Sequence, residues 1–233
     1  LREIENTTLL FCQPEDLMRL LEEINSKKWS SLQRLRFACA TTLLSEGVFT
    51  CFGQSPFDSL NKLRCVFLSE HIQNTQLVSS FPKTVPKREA SLGSLSKALL
   101  NTEKLNCIRA QLGARVVVEL YCPYVVMGPI SGTNFYDYRV LPRSVDETFL
   151  FCGAISTNLE GKLVHTDENP DLNVTKRQGM LCIRGFTIGR PVEPDRLASA
   201  MELSDRFGGG EGWMPTVGIF GLWGKDGCLY IYK

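Results

Sequence analysis

The side chains that could carry chemistry in this chain are few and scattered. His71 and His165 are its two histidines, and the nine cysteines (Cys12, Cys39, Cys51, Cys65, Cys107, Cys122, Cys152, Cys182 and Cys228) show no Cys-x-x-Cys spacing. A structural zinc site needs four ligands, usually brought together by such spacing, so a structural role for each residue is the stronger reading and no metal site is predicted. Two glycine-rich stretches invite comparison with phosphate loops, whose backbone N–H groups cradle anions. "GPISGTN" (128–134) reads better as a turn between strands. "FGGGEG" (207–212) follows a helix, and helix termination accounts for it. Glu70 and Glu119 read first as solvent-facing strand-end residues, and His71 as a local structural residue. Arg115 is either an anion contact or a strand-edge arginine satisfying carbonyls or a neighbouring acid.

The elements that must position these residues change character along the chain. "TTLLFC" predicts a buried strand, and the following helix has Pro14 in its first turn with Leu17, Leu20, Leu21 and Ile24 at helical spacing. "RLRFACA" (34–40), "KLRCVFLS" (62–69) and "ARVVVELY" (114–121) are apolar on both faces, as buried parallel strands are, and "SLGSLSKALLNTEKL" (91–105) supplies a helix. Residues 80–91 read as an exposed loop. Residues 1–130 therefore predict an α/β lobe with a largely parallel sheet. Residues 131–233 predict a smaller antiparallel β lobe built from "FYDYRVL", "TFLFCG", "GKLVHT", "GMLCIRG" and "GCLYIY", with one helix in "EPDRLASAMELSDRF".

Composition narrows the partners. The chain has 233 residues, 43% of them hydrophobic, enough for a sizeable core. Its 26 basic and 25 acidic side chains are spread evenly, which argues against nucleic acid as a partner. No run approaches the about 20 apolar residues of a membrane span. Most cysteines sit in apolar runs such as "LLFC", "LRCVFL" and "MLCIRG", the setting of buried, reduced thiols in the cytoplasm. The opening "LREIENTT" carries neither an initiator methionine nor a signal segment, so flanking domains of a longer parent chain are expected.

The second half carries a resemblance. "FYDYRVL", "TFLFCG", "QGMLCIRG" and "GWMPTVGIFGLWGKDGCLYI" follow the order and spacing found in fatty acyl-AMP ligases, a branch of the acyl-adenylate-forming superfamily. "LLFCQPEDLMRLLEEI" and "KLRCVFLSEHI" resemble the superfamily's earlier strands and helix. "QLGARV" followed by "ISGTNFYDYRVL" is most similar to the degenerate adenylation domains of Disco-interacting protein 2 and its fungal relatives. The resemblance implies the large N-terminal part of an adenylate-forming domain, with the phosphate loop ahead of this region and the lysine-bearing lid after it.

The resemblance also shows what has changed. In that family an aspartate within Thr-Gly-Asp accepts hydrogen bonds from both ribose hydroxyls of ATP. Here the frame runs Thr216, Val217, Gly218, Ile219, Phe220, Gly221. With Val217 as an insertion Ile219 takes the aspartate's place, and without it Gly218 does. Neither can accept a hydroxyl hydrogen bond through a side chain. The family's Tyr-Gly-x-Thr-Glu, which contacts phosphate and metal, has two candidate counterparts. One runs Leu112, Gly113, Ala114, Arg115, Val116, and the other places Tyr124 and Val125 after Tyr121. Both lack the carboxylate. The resemblance so implies a degenerate, non-adenylating domain of a larger lipid-metabolism-related protein, cytoplasmic or peripheral to membranes, taking an acyl or lipid ligand and needing no cofactor. No catalytic residue is assigned. The alternative is an active fatty acyl-AMP ligase using ATP and Mg²⁺, with Glu70, Glu119 or Asp226 as replacement acids.

Overall fold

A computed structural model describes residues 6–53, 60–71, 101–122, 126–166, 176–190, 192–208, 210 and 212–232. The predicted loop at 80–91, the first ten residues of the predicted helix at 91–105, and Tyr124 and Val125 lie outside them. The chain packs as two units. One draws on the described residues of Leu1–Glu70, Ser94–Glu119 and Thr133–Glu147, the other on those of His71–Gly93, Leu120–Gly132 and Thr148–Lys233.

In the first unit β1 (Leu9–Cys12) runs parallel to β2 (Cys65–His71), with Leu9 opposite Cys65 and Cys12 opposite Leu68. Next in the strand order is β3 (Arg115–Tyr121). Helix α1 (Pro14–Ser26) follows the predicted pattern: Pro14 opens it, Glu15 and Asp16 sit at its positive end, and Leu17, Leu20, Leu21 and Ile24 are buried. Strand β1 is not the buried strand expected, because it lies at the end of the strand order, where Leu9 and Phe11 remain exposed.

"RLRFACA" is not a strand but the middle of α2 (Ser31–Ser45). Two local signals outweigh its apolar look. Ser30 and Gln33 form a reciprocal capping box, and Leu, Arg and Ala are among the strongest helix formers. The run also has no β-branched residue. The described end of the predicted helix, residues 101–105, belongs to α3 (Thr102–Leu112). Asn101 caps the N–H groups of Glu103 and Lys104, while the buried Asp146 carboxylate accepts from the Thr102 N–H and hydroxyl.

"FYDYRVL" forms no strand. Asn134 accepts from the Tyr136 N–H and Asp137 from the Arg139 N–H, local bonds that hold the backbone in turns and divert it from a ladder. Tyr138 in this segment instead joins the buried cluster of Ala40, Leu44 and Ala110. Helix α4 (Arg143–Thr148) follows.

Among the described residues the strands of the second unit pair antiparallel, in the order β4 (Pro129–Gly132), β5 (Phe149–Ile155), β9 (Leu229–Tyr232), β8 (Met214–Trp223), β7 (Gln178–Gly185), β6 (Leu159–Val164). "GPISGTN" thus contributes a strand of its own, where a turn was expected. Helix α5 (Pro194–Leu203) continues into a π-helical turn, Ser204–Gly208. The expected α/β class, with parallel pairing ahead of antiparallel strands, is the observed one.

Candidate functional site

The Thr216–Gly221 frame lies in β8, at the irregular point of its ladder. Met180 of β7 faces Phe220, and Cys182 faces Pro215, so two steps along β7 correspond to five along β8. Three extra residues are therefore accommodated in β8, in the stretch that contains Thr216, Gly218 and Ile219. Bulges of this kind re-aim side chains and cluster beside ligand sites. Here they aim nothing polar. The Thr216 hydroxyl is fully buried and donates to the Leu181 carbonyl at 2.7 Å, and Ile219 is 2% exposed. From Met214 to Trp223 no residue is ionisable.

Packing explains the frame's glycine. A Cβ on Gly221 would stand 2.4 Å from the Tyr230 carbonyl oxygen, because Gly221 pairs with Ile231 across the β8–β9 ladder. The Asp-Gly that follows forms a turn in which the Asp226 carboxylate accepts from the Cys228 N–H. That bond gives Asp226 a local structural task.

The other predicted positions lie along β3. Gly113 caps α3 with φ +62°, a left-handed conformation that suits glycine. Arg115 and Val116 open β3, whereas Tyr121 closes it, with its ring 5.8 Å from His71. Ligands of open α/β sheets collect outside the carboxyl ends of the strands, which is the Tyr121 end. Val116 is buried, and its carbonyl accepts from Arg109 at 2.9 Å. The Arg115 guanidinium lies 4.6 Å from the Phe49 ring and 5.2 Å from the Tyr136 ring, and its Nε donates to the Tyr138 hydroxyl at 3.3 Å. It is held by aromatic faces rather than by an acid.

Glu70, read from sequence as solvent-facing, is buried; Glu119 is half-buried. Among the described residues no group of three or more His, Cys, Asp or Glu side chains could hold a metal ion. The buried Arg109 donates to Asn106 at 2.6 Å, and its pKa is lowered to about 10 chiefly by desolvation.

Four of the nine cysteines, Cys65, Cys122, Cys152 and Cys182, are buried, while Cys39 and Cys51 are exposed, so burial is less general than the sequence indicated. Cys39 lies on α2, whose outward face an assumed buried strand would not have. Burial pushes the Cys122 and Cys182 thiols up to about 11, although Lys162 partly opposes this at Cys182. At pH 7.5 roughly one thiol in a thousand or fewer is then thiolate at these two positions. An alkylating reagent is expected to label Cys39 and Cys51 in the folded protein and Cys122 and Cys182 only after denaturation, read by peptide mass spectrometry. Fast labelling of Cys122 in the native state would contradict this packing.

A feature the sequence did not reveal lies within the second unit: a cavity of about 350 Å³ between α5, its π-helical turn, the end of β7 and the start of β8. Trp213 lines it, with the Lys162 ammonium 4.2 Å and the Arg184 guanidinium 4.7 Å from the ring. No periodicity announces a π-turn, and the two cations come from β6 and β7.

No family model matches the chain. It is 52% identical over 230 residues to the uncharacterized Saccharomyces cerevisiae protein YHR045W, an alignment that covers 99% of this chain and 40% of that protein. The nonribosomal peptide synthetase FmoA3 in its α-methyl-L-serine-AMP-bound form matches with a TM-score of 0.56 and 18% identity, over 97% of this chain and 19% of that one. Its AMPPNP-bound form matches with a TM-score of 0.54 and 16% identity, over 97% and 18%. This chain has the acyl-adenylate-forming fold.

The acyl-adenylate-forming fold accounts for the order of parallel and then antiparallel strands. At 18% identity the likeness carries architecture alone, so activity has to be argued from this chain's own residues. The chain spans 40% of the length of its yeast relative. Among the described residues no helix is long and apolar enough to cross a membrane.

Proposed function

We propose that this chain is part of a non-adenylating member of the adenylate-forming superfamily, related to the Disco-interacting protein 2 type, which keeps the fold as an acyl- or lipid-binding module of a longer lipid-metabolism-related protein. The observation that carries the reading is the state of the ribose frame. Adenylation requires ATP's ribose to be fixed so that the α-phosphate meets the incoming carboxylate, and a metal to neutralise the departing pyrophosphate. At the frame, Ile219 is hydrocarbon and the Thr216 hydroxyl is committed to the Leu181 carbonyl.

Each lost charge-assisted contact costs about 1.5–3 kcal/mol, and groups that act as a unit lose more together than separately. The frame keeps its glycine for the β8–β9 contact, so the architecture has a reason to persist without the chemistry. The test is calorimetric titration of the full-length protein with ATP·Mg²⁺ and then with a non-hydrolysable acyl-AMP analogue, with pyrophosphate followed in parallel. Acyl or lipid binding with no pyrophosphate supports the proposal. Pyrophosphate release on addition of fatty acid contradicts it and points to the active-ligase alternative, and silence to every ligand leaves a purely structural module.

A further inference from the structure

The cavity of the second unit has the chemistry of a ligand site that the nucleotide frame does not use. Its walls are Ile188, Leu197, Ala200, Met201, Trp213 and Met214, apolar apart from the indole N–H, and its volume of about 350 Å³ is at the small end of ordinary small-molecule sites. The π-helical turn contributes Ser204 and Asp205, and such turns recur at functional sites. The Lys162 and Arg184 cations lie 4.2 Å and 4.7 Å from the centre of the Trp213 ring, contacts that hold the ring in the wall.

The rim carries one cation and one acid. Arg190 has no hydrogen-bond or salt-bridge partner among the described residues. The Asp205 carboxylate is packed against the Gly210 turn, with its Oδ1 3.1 Å from where a Cβ on Gly210 would stand. Arg190 is therefore the charge left to meet a ligand, and a guanidinium matches a carboxylate in a two-point hydrogen bond.

The surroundings match a chain longer than the cavity is deep. The segment that supplies Ile188 and Arg190 also carries Phe186, fully exposed, and it is followed by Val192 at 95% exposure. Met127, 80% exposed, is tied beside it: Val126 bridges to Ile188, and the Met127 N–H donates to the Thr187 carbonyl at 2.8 Å. Met201 is both wall and surface. Large apolar side chains gathered on loop ends mark surfaces that bind something apolar.

We infer that this cavity binds a free fatty acid, with the aliphatic chain against Ile188, Leu197, Met201 and Trp213, the distal methylenes under Phe186 and Val192, and the carboxylate on Arg190. The inference takes its ligand class from the acyl-binding reading above, and its location from the geometry of this unit alone.

Calorimetric titration of the full-length protein with sodium octanoate, decanoate and dodecanoate tests it. Saturable binding is expected to tighten about fourfold per methylene, as burial of hydrocarbon requires. Arg190→Ala is expected to weaken dodecanoate at least tenfold, Ala200→Trp to abolish binding by filling the cavity, and Asp205→Asn to leave it equal or tighter. Lys28→Ala, on the other unit, serves as an unaffected control. Circular dichroism melts on each variant separate lost binding from lost folding, and Met201→Trp provides a second filling variant if Ala200→Trp does not fold. The proposal is overturned by no saturable binding, by affinity independent of chain length, or by binding that survives both filling variants. It is equally overturned if Asp205→Asn weakens binding tenfold, which would identify a zwitterionic ligand. Pyrophosphate release by the wild type would sink the non-adenylating reading without touching this site, whereas dodecanoate binding that ignores Arg190 and Ala200 would sink this site and leave that reading standing.

Discussion

Replacing Ile219 by aspartate, which puts an acid at one of the two positions proposed as counterparts of the ribose aspartate, is expected to destabilise the protein by about 3–5 kcal/mol and to yield no adenylation. Ile219 is 2% exposed, so the change deletes buried hydrocarbon and adds a carboxyl group where no ionisable residue of β8 can meet it. Desolvation would raise the new carboxyl's pKa in the folded state above its unfolded value near 4. A group shifted upward contributes most below its unfolded pKa, and that contribution is lost as pH rises through the folded pKa. The deficit of Ile219→Asp is therefore expected to be larger at pH 8 than at pH 4.5. Urea unfolding at the two pH values measures it, with Ile219→Val as a control costing about 0.5–1.5 kcal/mol. Wild-type stability in the aspartate variant would mean that the position still opens onto a wet, polar pocket.

A second large effect is expected at Gly221. Alanine there places Cβ 2.4 Å from the Tyr230 carbonyl oxygen and 3.3 Å from its carbon, both backbone atoms in a paired strand that cannot swing aside as a side chain can. The predicted cost is about 3 kcal/mol or more, since relief requires moving the β8–β9 ladder. Gly227→Ala is the internal comparison. Its φ of +75° penalises alanine, but nothing lies within 4 Å of the added carbon, so only about 1 kcal/mol is expected. Thermal melts of the two variants should separate clearly. Equal losses would show that backbone conformation, and not the contact with β9, holds the glycine in the frame.

Those two positions also show how much the sequence revealed. The frame was visible as an ordered set of residue types, and it lies in one strand whose irregular register keeps Thr216, Gly218 and Ile219 together. Strands with β-branched or cysteine-rich apolar runs, such as β3 and β7, announced themselves through short-range pattern. "RLRFACA" misled because burial on both faces is common to central strands and core helices, and the capping box that decides between them begins at Ser30, outside the run. "FYDYRVL" misled because its alternating aromatics answer to different neighbours. Tyr138 enters the α2–α3 core, Tyr136 covers Arg115, and side-chain bonds from Asn134 and Asp137 set the turns. The cavity was illegible for a different reason. Its walls come from one helix, a π-turn and two strand ends, with no shared period.

Arg115 shows the same division between identity and setting. Its residue type fits an anion contact or a strand-edge arginine, and the sequence left both open. Position resolves part of this: it opens β3 between Phe49 and Tyr136, at the end away from Tyr121. Pairing with rings rather than carboxylates is not a feature that spacing along the chain can reveal.

The most direct test of the central claim is the heat of ATP·Mg²⁺ binding to the full-length protein, with pyrophosphate counted in the same samples after addition of a fatty acid. The account predicts no saturable ATP heat at millimolar nucleotide and no pyrophosphate above the buffer blank. Micromolar ATP binding followed by stoichiometric pyrophosphate would contradict it, because in the proposed ribose frame Ile219 has no acceptor and Thr216 is fully buried with its hydroxyl on the Leu181 carbonyl.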